Sequence, residues 1–248
     1  KKLIKNYPKA AEAAEAQYYL GMIDEAQNNL YAAFLSYQKV IDKYPFSQRN
    51  PDIISRQYHI AELFMSGAKH KAFGVDVPME HPALSILDKV AENAPYGPLA
   101  AKARYKRGLV FKSQSQFYEA EEEFSRVIKN YPESEWAEPA KFQLAACRAG
   151  VARSADYDQV ATIEAKQKFE KFIEEHPDAV LSEDAHKQIQ QLHLQEAESQ
   201  FNTGRFYEKQ KAFDSAMVYY EAVVDGYPDT PWAVKAMERL EILEKRKK

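Results

Sequence analysis

Two histidines, His186 and His193, stand seven residues apart in a polar stretch of this 248-residue chain. On an α-helix, a spacing of seven places both imidazoles on one face, where they would be able to share a metal ion. Zinc sites in proteins use three or four side-chain ligands, and two histidines without a nearby third ligand make a poor site. We therefore predict no metal site and no metal cofactor.

Carboxylates and the single cysteine are the other candidates for chemistry. Glu121, Glu122 and Glu123 follow one another on a predicted helix, so they point in different directions and make an acid/base pair improbable. We predict that this run is helical surface. Cys147 lies in an apolar segment and has no second cysteine for an internal disulfide, so we predict a small buried core residue rather than a reactive thiol.

Catalytic motifs are absent from the sequence. It contains no glycine-rich phosphate loop, no G-x-S-x-G and no H-E-x-x-H. A catalytic centre would have to be assembled from distant residues that sequence alone does not identify. We predict that the chain is not an enzyme and uses no cofactor.

A repeated spacing organises the whole chain. Prolines follow apolar helix ends at Pro45, Pro95, Pro132, Pro177 and Pro228. Twelve residues before each of them stands an alanine: Ala33, Ala83, Ala120, Ala165 and Ala216. Eight residues before each stands a large apolar residue: Tyr37, Leu87, Phe124, Phe169 and Tyr220. A glycine stands twenty-four residues before three of them, at Gly21, Gly108 and Gly204. This spacing is typical of the tetratricopeptide repeat (TPR), a pair of antiparallel helices.

The stretch from Ala101 to Pro132 shows one such hairpin in full. Tyr105, Gly108 and Phe111 share a face of its first helix, and Ala120, Phe124 and Val127 share a face of its second. We predict an all-α fold, a TPR-type α-solenoid of about five helical hairpins plus a terminal helix. Residues 1–248 would form a single solenoid, with N-terminal repeats in 1–95 and C-terminal repeats in 96–248.

Composition restricts the class of protein and its partners. The chain is 45% hydrophobic and 12% aromatic, which is ample for a packed core, and has only 8 glycines. Its net charge of −3 argues against nucleic acid as the main partner. It opens on Lys1–Pro8, which reads as the end of a second repeat helix, so we expect further residues upstream that would carry any signal, lipid anchor or first hairpin.

Three segments depart from the repeat. An insertion between Ser66 and Pro82 holds Phe73, Val75 and Val77, which is apolar for a loop. It either folds back over its hairpin or contacts a partner. A polar insertion spans residues 150–159 and includes Arg153, Asp156 and Tyr157. Ser182-Glu183-Asp184 then reads as the cap of an unusually long helix that reaches about Lys209.

A peptide-binding groove is the main functional prediction from the repeats. In TPR arrays the first helix of each hairpin lines the concave side. Counted from each glycine, the groove-facing positions are Glu15, Tyr18, Met22 and Glu25, then Lys102, Tyr105, Leu109 and Lys112, then Glu198, Phe201, Arg205 and Glu208. With Tyr58 of another first helix, we select as peptide-binding candidates Tyr18, Met22, Tyr58, Tyr105, Leu109, Lys112, Phe201 and Arg205.

Two alternatives bear on this groove. The aromatic rings either offer area to a bound peptide or pack between neighbouring repeats. Co-chaperone TPR domains hold a C-terminal carboxylate with a Lys/Asn clamp, and Tyr18 and Met22 occupy those positions here. A carboxylate clamp of that kind is therefore disfavoured.

Four stretches from about Ala94 onward match the pattern of one known family: Pro95-Tyr96-Gly97-Pro98, the insertion Arg153–Gln159, the stretch from Ala165 to Tyr220, and Tyr227-Pro228-Asp229-Thr230. On these residues the chain resembles, over about 150 residues, the BamD (YfiO/ComL) family of outer-membrane assembly lipoproteins. It marks residues 96–248 as BamD-like repeats.

The resemblance implies a scaffold at the periplasmic face of the outer membrane, attached only by an N-terminal lipid that this chain does not include. Family members bind the POTRA domains of the barrel protein BamA and unfolded β-barrel precursors. By analogy, the Gly150–Gln159 loop and Ala197–Tyr220 would face BamA, and the groove near Tyr18, Tyr58 and Tyr105 would receive precursor peptides. The alternative is another cell-envelope TPR adaptor, such as a Tol-Pal coordinator or a secretion-system subunit.

Overall fold

Helices dominate the computed structural model, which describes residues 2–68, 71–72, 75–76, 81–154 and 159–247. Its helices are α1 Lys2–Asn6, α2 Ala11–Ala26, α3 Leu30–Lys43, α4 Asn50–Met65, α5 Pro82–Asn93, α6 Ala100–Ser113, α7 Phe117–Asn130, α8 Ala137–Ser154, α9 Gln159–Glu175, α10 Val180–Lys209, α11 Phe213–Gly226 and α12 Pro231–Lys247. None of the helices in these described ranges is both long enough and apolar enough to cross a membrane.

The chain divides into two compact units. The N-terminal unit, Lys1–Ala140, contains the hairpins α2/α3, α4/α5 and α6/α7. The C-terminal unit, Lys141–Lys248, contains most of α8 with α9, the hairpin α10/α11, and α12. Five hairpins and a terminal helix confirm the predicted fold class, an all-α TPR-type α-solenoid. That residues 1–248 act as one body, with repeats divided near residue 95, stays a prediction.

The alanine and aromatic positions of the repeat form the centre of each hairpin. All five alanines and all five large residues eight before the prolines are fully buried. The closing prolines explain where second helices end, because proline excludes helical geometry from the residue before it. Tyr44, Ala94, Tyr131 and Tyr227 each stand before such a proline, and their ψ angles of 63°, 67°, 52° and 50° leave the helical range.

Three hairpins share one turn between their helices. Asn28, Ser115 and Lys211 adopt left-handed φ angles of 58°, 61° and 61°. The next residue then donates its backbone N–H to a carbonyl in the last turn of the first helix; in the central hairpin, Gln116 N lies 3.0 Å from the Phe111 oxygen. This is a helix-ending turn of the Schellman type, and it reverses the chain within a few residues.

The first insertion contains the only strands in the described residues. β1 Lys71–Ala72 pairs antiparallel with β2 Val75–Asp76, between α4 and α5. Val75 belongs to this short ladder, whereas Phe73 and Val77 lie outside the described residues. The insertion therefore has local β structure that the helix-based sequence analysis did not predict, because two-residue strands leave no recognisable period.

Two helix boundaries differ from the prediction. Helix α8 continues to Ser154, so Arg153, expected in a loop, is an exposed residue of a helix end, while Asp156 and Tyr157 lie outside the described residues. Helix α10 begins at Val180, so Ser182 is not its cap. Ser182 is buried instead, and its hydroxyl donates to the carbonyl of His176 over 2.5 Å, which ties α10 to the end of α9.

Candidate functional site

The predicted groove aromatics are buried between helices. Tyr18, Tyr58, Tyr105 and Phe201 are 4%, 5%, 8% and 5% exposed. In the central and last hairpins a tryptophan thirty-one residues further on lies against the ring: Tyr105 and Trp136 have centroids 5.0 Å apart, and Phe201 and Trp232 have centroids 5.3 Å apart. Of the two interpretations for these rings, their placement favours packing between repeats.

The other four predicted peptide-binding residues are more exposed than these rings, so a peptide-binding groove is not contradicted. Met22, Leu109 and Lys112 are half-buried, and Arg205 is exposed. Their role in binding a peptide stays a prediction. Their neighbours at the other groove positions are charged, and these charged residues form the polar surface described below.

In the N-terminal unit, a polar network joins α2 to the start of α4. Arg49 forms two parallel hydrogen bonds with Glu15, with Nε–Oε1 at 2.8 Å and Nη2–Oε2 at 3.0 Å, and its guanidinium lies 4.9 Å from the centre of the Tyr18 ring. The Tyr18 hydroxyl donates to Asp52 over 2.6 Å. Burial alone would raise the pKa of Asp52, but hydrogen bonds from Tyr18 and Arg56 lower it.

The middle of the N-terminal unit presents lysines over aromatic faces. The Lys102 ammonium lies 4.8 Å from the Tyr58 ring centre and 5.9 Å from that of Trp136, and Lys106 lies 5.9 Å from Trp136. Cation–π contacts of this kind order long side chains without removing their charge from solvent. Lys102 also lies 4.0 Å from a carboxylate oxygen of Glu62, so this face carries ordered lysines whose charge is partly paired.

In the run Glu121–Glu123, one residue differs from the predicted helical surface. Glu122 is exposed, but Glu123 is only 2% exposed rather than a surface residue. Its carboxylate accepts hydrogen bonds from Arg107 at 2.6 Å, Arg126 at 3.1 Å and Arg104 at 3.4 Å. Three guanidinium groups compensate the buried charge, which makes Glu123 a structural rather than an acid/base residue.

In the C-terminal unit, an open cleft of about 560 Å³ lies between α10 and α12. Phe201, Arg205 and Glu208 recur on one face of α10 at helical spacing, and Trp232, Lys235 and Arg239 do so on α12. The packed rings of Phe201 and Trp232 hold the two helices together at one side. The cleft is lined by Phe201, Arg205, Glu208, Lys209, Trp232, Lys235 and Arg239.

Glu208 is the one acidic side chain of this cleft, and its charge is compensated locally. It accepts hydrogen bonds from both Nε and Nη2 of Arg239 and from the Tyr220 hydroxyl, the last over 2.9 Å. Burial alone would raise the pKa of Glu208, but these donors lower it. Burial and the nearby carboxylate raise the pKa of Tyr220 to about 12.

The N-terminal unit contains the same arrangement at the same repeat positions. Tyr37 donates to Glu25 over 2.6 Å, and Arg56 lies 3.2 Å from the same carboxylate oxygen. In both hairpins the tyrosine follows the glutamate by twelve residues and the arginine follows it by thirty-one. In the central hairpin Lys112 and Phe124 replace the glutamate and tyrosine.

Three cations of the cleft are not neutralised in this way. Among the described residues of the C-terminal unit, Arg205, Lys209 and Lys235 form no ion pair. The Lys235 ammonium instead lies 4.0 Å from the ring centre of Trp232. Arg205 was predicted from its repeat position, whereas the α12 residues were missed. Trp232 and Arg239 follow Phe201 and Glu208 by thirty-one residues, but Lys235 has no such spacing to Arg205.

The described residues include no side-chain arrangement suited to binding a metal ion or to acid/base catalysis. No group of three or more His, Cys, Asp or Glu side chains in the described ranges is arranged to hold a metal ion. His186 is exposed, whereas the ring of His193 lies 4.8 Å from that of Tyr227, so the pair does not converge on one point. Cys147 is fully buried, as predicted.

Comparison with protein families separates the two units. A family model described as outer membrane lipoprotein, YfiO, matches residues 152–247, within the C-terminal unit. A tetratricopeptide repeat model matches residues 15–47 and 102–134, within the N-terminal unit. The cleft between α10 and α12 thus belongs to the part of the chain that resembles the YfiO lipoproteins.

Among individual proteins, the chain is similar to an outer membrane protein assembly factor, BamD of Caulobacter vibrioides. The two are 22% identical over 192 residues, which is 77% of this chain and 62% of that protein. The chain therefore spans about three fifths of the length of this curated relative.

Solved structures of TPR proteins are also similar to the chain. YrrB, described as a TPR protein with an unusual peptide-binding site, is 16% identical, with 96% of each chain covered and a TM-score of 0.38. A TPR protein from Parabacteroides merdae is 15% identical, covers 97% of this chain and 88% of its own, and has a TM-score of 0.40. The chain has a TPR-type α-solenoid fold and is similar, in residues 152–247, to the outer-membrane lipoproteins of the YfiO/BamD type.

Proposed function

We propose that this chain is a non-enzymatic adaptor in the assembly of outer-membrane β-barrel proteins. The observation that carries the proposal is the match of the YfiO lipoprotein model to residues 152–247, together with similarity to a BamD assembly factor. Stacked hairpins with fixed charges on their surface suit the binding of other polypeptides and require no bond chemistry.

The proposed partners differ between the two units. The C-terminal unit, where the family match lies, binds the POTRA domains of a BamA-like barrel protein. The N-terminal unit, with its ordered lysines and half-buried Met22 and Leu109, receives unfolded outer-membrane protein segments. The protein works at the periplasmic face of the outer membrane, and an N-terminal lipid outside these residues attaches it there.

Purification of the natural protein from membranes tests this function. The tagged protein, expressed from its own gene, is extracted in mild detergent, and its partners are identified by mass spectrometry. We expect a BamA-like barrel protein among them at a constant ratio. Recovery of Tol-Pal or secretion components without any such barrel would reject the assembly function in favour of another envelope adaptor.

A second measurement tests direct contact. The purified barrel protein's periplasmic domains are titrated with the chain, and binding is followed by calorimetry. We expect saturable binding that weakens as salt increases, because fixed charges contribute to the C-terminal surface. An isolated POTRA array that never binds the chain at any salt concentration would contradict the proposed contact.

A further inference from the structure

We infer that the cleft between α10 and α12 binds an acidic, aromatic-containing segment of a partner polypeptide. The inference rests on the proposed adaptor function and specifies the ligand chemistry of the C-terminal unit. Neither the family match nor the name of any similar protein identifies this cleft as a binding site.

Charge is the first argument for an acidic ligand. Arg239 and Tyr220 already satisfy Glu208, so the cleft presents the charges of Arg205, Lys209 and Lys235 without compensation. Three like charges around one cleft repel each other and are relieved by carboxylates. The whole chain has a net charge of −3, so this is a local excess rather than a general property of the surface.

The ring of Trp232 is the second argument. It is half-buried, with Phe201 against it and the Lys235 ammonium 4.0 Å from its centre. Such an arrangement supplies apolar area beside cations at little cost in side-chain entropy. A ligand that alternates carboxylates with an aromatic or apolar side chain matches both features.

The surroundings of the cleft favour a polypeptide over a lipid surface. Exposed carboxylates outside the cleft lining lie on the same two helices: Glu198 on α10, and Glu238 and Glu241 on α12. A flat anionic bilayer would meet these carboxylates as well as the cations and would be repelled. A narrow segment entering the cleft meets Arg205, Lys209 and Lys235, while the charge of Glu208 is already paired with Arg239.

A charge-reversal experiment tests the inference. The probe is a short fluorescein-labelled peptide in which Glu and Phe alternate, and binding to the full chain is measured by fluorescence anisotropy. The variant Arg205→Glu/Lys235→Glu is expected to weaken binding by about tenfold or more, because two attractive contacts become repulsive. Affinity of the unchanged chain should fall as salt increases.

The matched control makes the same change of charge elsewhere in the C-terminal unit. Lys171→Glu/Lys187→Glu reverses two exposed lysines outside the cleft and is expected to leave the peptide affinity within about twofold. Circular dichroism and melting curves establish that both double variants are folded. Equal affinities for the two double variants, or equal binding of a Lys/Phe peptide, would overturn the inference.

Two further readouts separate the possible explanations. Anionic and zwitterionic vesicles are tested in sedimentation, and cleft-dependent binding to anionic vesicles in place of the peptide would overturn the inference in favour of a lipid site. Co-purification of the barrel tests the adaptor function independently: its absence with the unchanged chain rejects that function, while cleft-dependent peptide binding still supports the acidic-ligand site.

Discussion

Gly108 of α6 faces Phe124 of α7 so closely that a methyl group on Gly108 would lie 2.7 Å from the ring of Phe124. The same relationship holds for Gly21 with Tyr37 and for Gly204 with Tyr220. The glycine of the repeat is therefore required by the aromatic ring of the second helix. The ring fills the space that a side chain on the first helix would occupy.

Gly108→Ala tests this requirement. The added carbon forces the buried Phe124 ring to move, so we expect the free energy of unfolding to fall by ~1–3 kcal/mol despite alanine's better helix propensity. Urea unfolding followed by circular dichroism measures the change. In a chain that already carries Phe124→Leu, Gly108→Ala should lower the free energy of unfolding by less, because leucine leaves more room than phenylalanine. The repeat accepts leucine at this position, since Leu87 occupies it in the hairpin α4/α5.

Gly226→Ala is the matched control. An added Cβ at Gly226 meets no atom within 4 Å, and the residue ends α11 without a left-handed φ. We expect this substitution to leave stability unchanged or raise it by up to about 1 kcal/mol. If Gly108→Ala behaved in the same way, the close packing of α6 on α7 would be contradicted.

Glu208→Gln is expected to change how stability depends on pH. The pKa of Glu208 is lowered in the folded chain. Its charge therefore stabilises the fold at pH values above the unfolded pKa of about 4.3, and this stabilisation is lost as pH falls through the lower folded pKa. Removing the charge should cost ~1–3 kcal/mol at neutral pH and much less in acid.

Chemical unfolding at a series of pH values measures this effect. The difference between the unchanged chain and Glu208→Gln should shrink as pH decreases below about 4. Glu221 is exposed on neighbouring α11, and Glu221→Gln serves as the control, with an expected cost at neutral pH of less than about 1 kcal/mol. A constant difference across the acid range would assign the loss to packing of the Gln side chain rather than to charge.

Tyr220→Phe tests the other end of the same hydrogen bond. The pKa of Tyr220 is raised to about 12 in the folded chain. Its protonated phenol therefore stabilises the fold fully below the unfolded pKa of about 10, and this stabilisation is lost as pH rises towards 12. We expect the unchanged chain to lose stability more steeply than the variant above pH 10. Parallel alkaline profiles would contradict the raised pKa of Tyr220, which burial and the bond to Glu208 both cause.

Glu123 and Glu122 offer a direct comparison of buried and exposed ion pairs. Glu123→Gln removes the buried carboxylate that pairs with Arg104, Arg107 and Arg126, and these arginines keep only Asp88 and Glu122 as acidic partners. We expect the free energy of unfolding to fall by ~3 kcal/mol. Glu122 pairs with Arg126 at the surface, so Glu122→Gln should cost less than about 1 kcal/mol. Equal costs, measured by urea unfolding, would contradict the difference in burial.

The hairpins could be predicted from the sequence because their determinants are local and periodic. Ala120 and Phe124 share a helix face, and Pro132 ends that helix, so each hairpin can be recognised from a short segment. The boundary at Ser182 failed because its side chain bonds back to the carbonyl of His176 in the preceding turn. Ser-Glu-Asp is compatible with a cap and with an interior position, and local sequence does not distinguish them.

The candidate site was predicted only in part, because the exposure of its residues depends on the following repeat. Tyr105 was selected as a groove residue, but Trp136, thirty-one residues further on, lies against its ring. The cleft combines Arg205 with Lys235 of a helix that carries no repeat marker. Pairing the two required the packing of α12 on α10, which no local period specifies.

Tyr105→Ala and Phe201→Ala distinguish packing from peptide binding. Both rings are more than nine-tenths buried, so their removal creates cavities, and we expect each to lower the free energy of unfolding by ~3–5 kcal/mol. Tyr118→Ala provides the control, because that tyrosine is 65% exposed on α7 and its removal should cost under about 1 kcal/mol.

Urea unfolding measures stability, and anisotropy with unfolded outer-membrane protein peptides measures binding under conditions where each variant is folded. A ring whose removal weakened peptide binding tenfold while leaving stability unchanged would belong to the groove after all, since a buried packing residue cannot be removed without loss of stability.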